Sequence, residues 1–253
     1  MTVAYFDCFS GIAGDMILGA LVDLGVDEKF LKKELKKLPL IGYDINIKTA
    51  ESNHIAATDV TVKVKEEQHH RHLSDIINLI EQSTLDSEVQ KLSQTIFQNL
   101  AKAEAKVHRI DVEEVHFHEV GAVDSIIDIV GSVIGITHLG IKKTYCSPLP
   151  LGHGFVTCSH GTLPLPAPAA VELLKGVPVY SVDRKQELVT PTGAAIMTTL
   201  VDHFGEMPPM KIHRIGYGSG KIQSEYPNLL RIFLGELMPE HKTGKKKEKN
   251  KML

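Results

Sequence analysis

Strand patterns and helix patterns alternate along this chain, and this alternation restricts its fold more than any other feature. Residues Val3–Phe9 form the short apolar run of a β-strand, and apolar residues then recur at helical spacing from Met16 to Leu24. Gly25 ends this helix. Because the same alternation continues to Leu234, the sequence predicts an α/β (mixed α+β) protein with a mixed sheet covered by helices, and neither a bundle nor a sandwich.

The other predicted elements follow from the same two periodicities. Further helices are predicted at Asp27–Leu38, Leu73–Ile80, Ser87–Val107, Asp124–Leu139, Ala167–Leu174 and Gly193–Phe204. Further strands are predicted at Tyr43–Lys48, Thr58–Lys65, Thr144–Ser147, Val177–Val182, Lys211–Ile215 and Leu229–Leu234. Ser74 or Asp75 is the predicted cap of the helix at Leu73–Ile80, and Thr192 is the predicted cap of the last helix.

Composition narrows the class of protein. The chain has 253 residues, of which 43% are hydrophobic and 23% charged, so one large domain or two closely packed ones can fold without crosslinks. The longest apolar window, Ile126–Ile141, contains Asp128 and His138, so no membrane span is predicted. The start of the chain lacks the pattern of a signal peptide, and its three Cys form no Cys-x-x-Cys pair, which predicts a soluble, cytoplasmic protein.

The charge is divided unevenly between two regions. Pro239–Leu253 holds six Lys and two Glu, a charge of +4, so the overall −3 leaves residues 1–238 at −7. We therefore predict one folded region at 1–238 and a disordered, Lys-rich tail at 239–253. An acidic body without a basic stripe excludes nucleic acid as an expected partner.

Histidines and carboxylates cluster in the middle of the chain. His116 and His118 are two residues apart, so both rings lie on one face of an extended segment. Asp124 and Asp128 follow one turn apart on a helix, and together these nitrogen and oxygen donors suit a borderline metal such as nickel, zinc or manganese. The alternative is that Asp124 caps the helix and the histidines form hydrogen bonds in the core. A second run, at 69–72, could bind similar cations without a specific site.

The loop between the first strand and the first helix could hold an anion. Gly11 and Gly14 lie at the start of the helix, where backbone N–H groups attract negative charge, although neither Walker A nor Gly-x-Gly-x-x-Gly spacing is present. Asp7 and Asp15 would repel a bare phosphate but would tolerate one that carries a divalent metal. A tight turn with Asp15 as N-cap explains the pattern equally well. Residues 216–221 could also approach a phosphate through the backbone, or could simply form a turn.

Five ordered motifs resemble the LarC family of nickel insertion proteins. They are Asp7–Gly11 with Gly14–Met16, Glu114–Ser125, His160–Pro164, Thr190–Ala195 and Gly216–Gly218. The resemblance implies a metallochelatase of the lyase class. It would insert nickel into pyridinium-3,5-bisthiocarboxylic acid mononucleotide, in a CTP-dependent reaction, to complete the nickel pincer cofactor of lactate racemase.

The resemblance and the residue patterns together predict specific roles. The predicted catalytic and nickel-holding residues are His116, His118 and Glu119, with Asp124 or Asp128, and the additional metal-binding run is His69, His70 and His72. The residues predicted to position the mononucleotide phosphate or its metal are Asp7, Ser10, Gly11, Gly14 and Asp15. Two other functions stay open: a non-enzymatic nickel chaperone or store, and a metal-dependent phosphohydrolase.

Family members continue into a further C-terminal domain, whereas this chain ends in the run Lys245–Lys251. We expect CTP, with Mg²⁺ or Mn²⁺, to bind that absent domain, and we expect apo lactate racemase to receive the cofactor. A homo-oligomer is also compatible with the sequence. Since Lys codons are A-rich and prone to ribosomal slippage, we hypothesise that the chain is the product of a split or frameshifted gene.

Overall fold

The computed structural model describes residues 1–65, 71–117, 122–158, 161–222 and 224–239. The helices among them are α1 (Gly14–Asp23), α2 (Glu28–Leu35), α3 (Leu73–Glu81), α4 (Ser87–His108), α5 (Val123–His138), α6 (Pro168–Leu173) and α7 (Pro191–Leu200). The strands are β1 (Thr2–Asp7), β2 (Tyr43–Ser52), β3 (Ile55–Val64), β4 (Arg71–His72), β5 (His116–Phe117), β6 (Lys143–Cys146), β7 (Leu149–Leu151), β8 (Phe155–Cys158), β9 (Gly161–Pro164), β10 (Val179–Ser181), β11 (His203–Phe204), β12 (Met210–Ser219) and β13 (Leu229–Leu237). The predicted α/β class is confirmed.

A seven-stranded mixed sheet forms the centre of the protein, in the order β11-β6-β1-β13-β12-β3-β2. β1 runs parallel to β6 and antiparallel to β13, with Asp7 opposite Arg231 at its carboxyl end. The parallel pair needs a crossover connection, and the helices between β1 and β6 supply it. The loop that follows β1 therefore leaves the sheet at the carboxyl end of an inner strand.

The main core lies between this sheet and the helices. Ala4 and Phe6 belong to it, whereas the alternate residues Val3 and Tyr5 form a small apolar cluster with Tyr145 on the other face of the sheet. α1 packs on β12, β13 and β3 and also contacts α5. Because α1 is enclosed by both the sheet and α5, residues from Met16 to Leu21 are all buried.

Three local predictions were wrong. The last predicted helix ends at Leu200 and not at Phe204, since His203 and Phe204 pair with β6 as β11. The cap of α7 is Thr190, whose hydroxyl accepts the Gly193 N–H at 3.1 Å. α3 begins after His72, which occupies the N-cap position predicted for Ser74 or Asp75.

The division into a region at 1–238 and a tail at 239–253 stays a prediction. Only Pro239 of the predicted tail is among the described residues, and 240–253 lie outside them. Among the described residues, no helix has the length and apolar character that crossing a membrane requires.

Candidate metal-binding cleft

A two-residue ladder brings two distant histidines into contact. β4 and β5 pair antiparallel, with His72 opposite His116, and the two ring centroids lie 3.9 Å apart. Directly opposed residues in such a ladder project from the same face. Phe117 projects to the other side, where it is 2% exposed and packs edge-on against Phe97. This buried aromatic residue anchors β5 and so fixes the position of His116.

The surroundings of His72 leave part of its ring available. Its backbone N–H donates to the Asp75 carboxylate at 2.8 Å, which fixes the start of α3. The ring Nδ1 is shielded from solvent and has no hydrogen-bond partner in the part of the chain that the structure describes. A neutral imidazole nitrogen is a good ligand for a borderline metal. The pair of rings therefore offers nitrogen donors for one metal ion.

His116 opens onto a cavity of about 260 Å³, which we call the histidine cavity. Its lining includes polar residues, among them Asp124 and Thr192, and apolar residues, among them Val156 and Leu163. A cavity with an apolar wall and a few polar groups is typical of a site for a small organic ligand.

A second cavity, of about 270 Å³, adjoins the first. The two share four lining residues, Asp124, Ser125, Thr190 and Thr192. We call the second one the carboxylate cavity, because Asp15, Asp124 and Asp128 all line it. Asp124 lies on the wall between the two cavities and so is accessible to a ligand in either.

The carboxylate cavity is formed where the first turns of α1, α5 and α7 meet. Asp15 is the second residue of α1 and accepts the Met16 N–H at 2.8 Å, and Asp124 is the second residue of α5 and accepts the Ser125 N–H at 2.8 Å. Carboxylates at this position are stabilised by the helix dipole. The helices therefore hold two negative charges beside the cavity.

Asp128 approaches the start of α1 closely because residue 14 is glycine. A Cβ placed on Gly14 would lie 2.7 Å from Asp128 Oδ2, closer than two such atoms can approach. The other oxygen, Oδ1, is shielded from solvent and has no hydrogen-bond partner among the described residues. Burial, assisted by the negative charges of Asp15 and Asp124, raises the pKa of Asp128 well above its usual value. Burial also raises the pKa of Asp15, against the opposing effect of Lys221.

Replacing Asp128 with asparagine should stabilise the metal-free protein at pH 7, by on the order of 1 kcal/mol. The folded-state pKa of Asp128 is raised, so the unfolded chain loses this proton first as the pH rises above about 4. Above that pH, ionisation of Asp128 lowers the free energy of unfolding of the wild type, whereas the variant has no carboxyl group at this position to ionise. Urea unfolding should show a difference in the free energy of unfolding between the variant and the wild type at pH 7, and a smaller difference at pH 4. Asp111→Asn, at an exposed position, is the control, and an Asp128→Asn variant less stable than wild type at pH 7 would contradict the argument.

Comparison with known proteins identifies the family to which this chain belongs. The family model described as nickel insertion protein matches residues 4–253. The chain is 51% identical to the pyridinium-3,5-bisthiocarboxylic acid mononucleotide nickel insertion protein of Desulfitobacterium hafniense, over 96% of this chain and 60% of that protein. It is 48% identical to the protein of the same name in Acetivibrio thermocellus, over 96% of this chain and 62% of that protein.

The chain belongs to the nickel insertion protein family. The resemblance drawn from its five motifs is thereby confirmed. The chain spans about three fifths of the length of these relatives. No solved structure matches it.

Several residues predicted for the nickel insertion site lie together in the structure. His116 and Asp124 line the histidine cavity, and Gly14, Asp15, Asp124 and Asp128 line the carboxylate cavity. His72 lies directly against His116, although it was predicted as part of a separate, looser run. His69, His70, His118 and Glu119 lie outside the described residues. Within the described ranges, no three His, Cys, Asp or Glu side chains are already gathered as a metal site.

Three other predicted residues make contacts within the protein and do not line either cavity. Asp7 accepts from Arg231, at 3.0 Å from Nε and 2.6 Å from Nη2. The buried Ser10 hydroxyl accepts from Arg184 at 2.8 Å, and Gly11 packs against the Leu188 backbone. A binding role for Asp7, Ser10 and Gly11 stays a prediction.

The residue patterns missed the contributions of Thr192 and Lys221 to the cleft. Thr192 was predicted only as a helix cap, and Lys221 only as part of the segment 216–221, which could approach a phosphate through its backbone or simply form a turn. A signal was present for Thr192, since it lies in the first turn of a helix as Asp15 and Asp124 do. Nothing local indicated that these three first turns meet.

Proposed function

We propose that this chain binds nickel as cargo and transfers it to pyridinium-3,5-bisthiocarboxylic acid mononucleotide. The observation that carries the proposal is the contact between His72 and His116 beside a cavity that contains Asp124. The relatives from Desulfitobacterium and Acetivibrio are named for insertion of nickel into this mononucleotide. Imidazole nitrogen and carboxylate oxygen together suit Ni²⁺.

The ligand set also suits release of the metal. In the proposed site, His72, His116 and Asp124 hold nickel, and His118 and Glu119 follow directly in the chain as further proposed ligands. Thiocarboxylate sulfur is a softer donor than imidazole or carboxylate, so the metal is drawn from the protein to the substrate. When nickel bonds to the ring carbon, the C–H bond at that carbon breaks and its hydrogen leaves as a proton, which a neutral imidazole can accept.

The two cavities suit the two ends of the substrate. We propose that the pyridinium ring lies against Val156 and Leu163 in the histidine cavity, which places its thiocarboxylates near the nickel. Gly14 and Asp15, at the start of α1, would then position the phosphate or the metal that accompanies it.

The complete reaction requires more than this region. We propose that CTP, with Mg²⁺ or Mn²⁺, binds in the part of the relatives that the chain does not match, and that the activity belongs to the lyase class. The finished cofactor would pass to a lactate racemase apoenzyme in the cytoplasm.

The direct test mixes nickel-loaded chain, the bisthiolated mononucleotide and CTP, with and without the remaining region of a relative. We expect mass spectrometry to detect nickel-containing product in at least the complete mixture. Asp124→Asn should slow its formation by about tenfold or more, through loss of a charged ligand. Asp111→Asn, at an exposed position outside both cavities, should leave the rate unchanged.

Two results would count against the proposal. If nickel binds but no mixture yields product, the chain is a chaperone or store. If CTP or the mononucleotide is hydrolysed without nickel transfer, the phosphohydrolase alternative is correct.

A further inference from the structure

Lys221 reaches from the glycine-rich segment after β12 across to β3. Its ammonium group donates to the Asp59 carboxylate, to the Val60 carbonyl at 2.6 Å and to the Thr61 hydroxyl at 2.9 Å. Three acceptors from consecutive residues match the three N–H groups of a lysine. The long side chain is therefore held in one place.

This fixed charge lies beside the proposed substrate site. Lys221 lines the carboxylate cavity, and its Nζ lies 3.5 Å from Asp15 Oδ2. Among the described lining residues it is the one Lys or Arg, against the three carboxylates of Asp15, Asp124 and Asp128. Among the glycines before it, Gly218 leaves room for the backbone of α1 at Met16.

The balance of these charges determines what the cavity can hold. Three carboxylates without a resident cation attract divalent metal ions and repel the thiocarboxylates and phosphate of the mononucleotide. A protein that must release its metal to an anionic substrate needs the opposite preference. An ammonium group fixed at the cavity wall weakens the attraction for divalent metal ions and reduces the repulsion of the anionic substrate.

We propose that Lys221 is a positioning residue that sets the charge preference of the carboxylate cavity: it favours binding of an anionic pyridinium mononucleotide and weakens the binding of a divalent cation by the three aspartates. The identity of the anion rests on the proposed nickel insertion function. The effect on cations does not, because it depends only on the charges around the cavity.

The test measures the affinity of the same variants of the full chain for one anion and for one cation. The anionic probe is nicotinic acid mononucleotide, which has a pyridinium ring, a carboxylate and a phosphate, and its binding is measured by calorimetry. The cationic probe is Mn²⁺, followed by water-proton relaxation. Lys221→Met should weaken the binding of nicotinic acid mononucleotide by about five- to tenfold and strengthen the binding of Mn²⁺ by a similar factor. The effects are no larger because Lys221 is partly exposed and solvent screens its charge.

Two variants serve as matched controls. Lys221→Arg keeps the charge and should restore both affinities to within about twofold. Lys48→Met removes another cation near Asp59, at 3.7 Å, that does not line the carboxylate cavity, and it should change neither affinity. If Lys221→Met does not fold, Lys221→Gln replaces it, with folding of each variant checked by circular dichroism.

Opposite shifts for the two probes support the proposal, because a loosened structure would weaken both. Shifts in the same direction, no shift, an equal effect of Lys48→Met, or failure of both probes to bind the wild type would overturn it. If Lys221→Met shifts the two probes oppositely but replacement of His72 and His116 leaves nickel binding unchanged, the proposed nickel site is wrong and the role of Lys221 stands.

Discussion

Nickel affinity should fall by about a hundredfold or more when His72 and His116 are both replaced by alanine. The double variant removes both imidazoles of the contact pair. Loss of a group that only supports a metal ligand already costs about 10- to 100-fold in affinity, so loss of two ligands should cost at least as much. Calorimetric titration with Ni²⁺ at pH 7.5 should show a lower affinity together with loss of one binding site per chain.

The single variants add a second check on the same site. If both rings bind one ion, the effects of His72→Ala and His116→Ala should be non-additive in a double-mutant cycle. His54→Ala with His153→Ala is the matched control, since these exposed histidines lie outside both cavities. Unchanged affinity and stoichiometry in the His72/His116 double variant would instead point to His69, His70 and His118.

Gly11→Ala should destabilise the protein by more than about 3 kcal/mol. Gly11 has φ +99°, a conformation that costs other residues about 1–2 kcal/mol, and a Cβ there would also overlap the Leu188 carbonyl oxygen. Relief of that overlap requires backbone movement, which adds further cost. Urea unfolding followed by circular dichroism measures the loss.

Gly176→Ala separates the two causes. Gly176 has a similar φ of +83°, but a Cβ there meets no atom within 4 Å, so only the conformational cost should appear. Equal losses in the two variants would show that the Leu188 contact contributes nothing.

The Gly11 contact also bears on the cleft. Ile12 donates to the Leu188 carbonyl at 2.6 Å and accepts from the Thr190 N–H at 3.1 Å, which ties the loop before α1 to the start of α7. Gly11→Ala protein that still folds should therefore bind the mononucleotide more weakly, because Gly14 and Thr190 both line the carboxylate cavity.

Much of the fold follows from local sequence patterns. The predicted helix at Ser87–Val107 differs from α4 by one residue, and β2 and β3 contain most of the two stretches in which alternating residues predicted strands. These elements bury one face each, so the spacing of their apolar residues reports their geometry. The sequence placed the end of α7 at Phe204 and not at Leu200, because β11 pairs with β6, a strand more than fifty residues earlier in the chain.

The site was predicted only in part, for the same reason. His116, Asp124 and Asp128 stand close together in the chain, so one strand and one helix already indicate that they can meet. Pairing of His72 with His116 occurs through strands of two residues, which are too short to carry a periodic pattern. Lys221 is close to Asp15 only because β12 lies beside β3 and beneath α1.

By itself, the sequence determined the α/β class, the family and the chemical types of the donors, because periodicity, ordered motifs and residue identity are local properties. The tertiary structure decided which donors share a cavity: His72 with His116, Asp15 with Asp124 and Asp128, and Lys221 beside them. The first contact depends on the pairing of β4 with β5, the second on the convergence of the starts of α1 and α5, and the third on β12 lying beside β3. Packing between elements distant in sequence sets that convergence, and no local pattern records it.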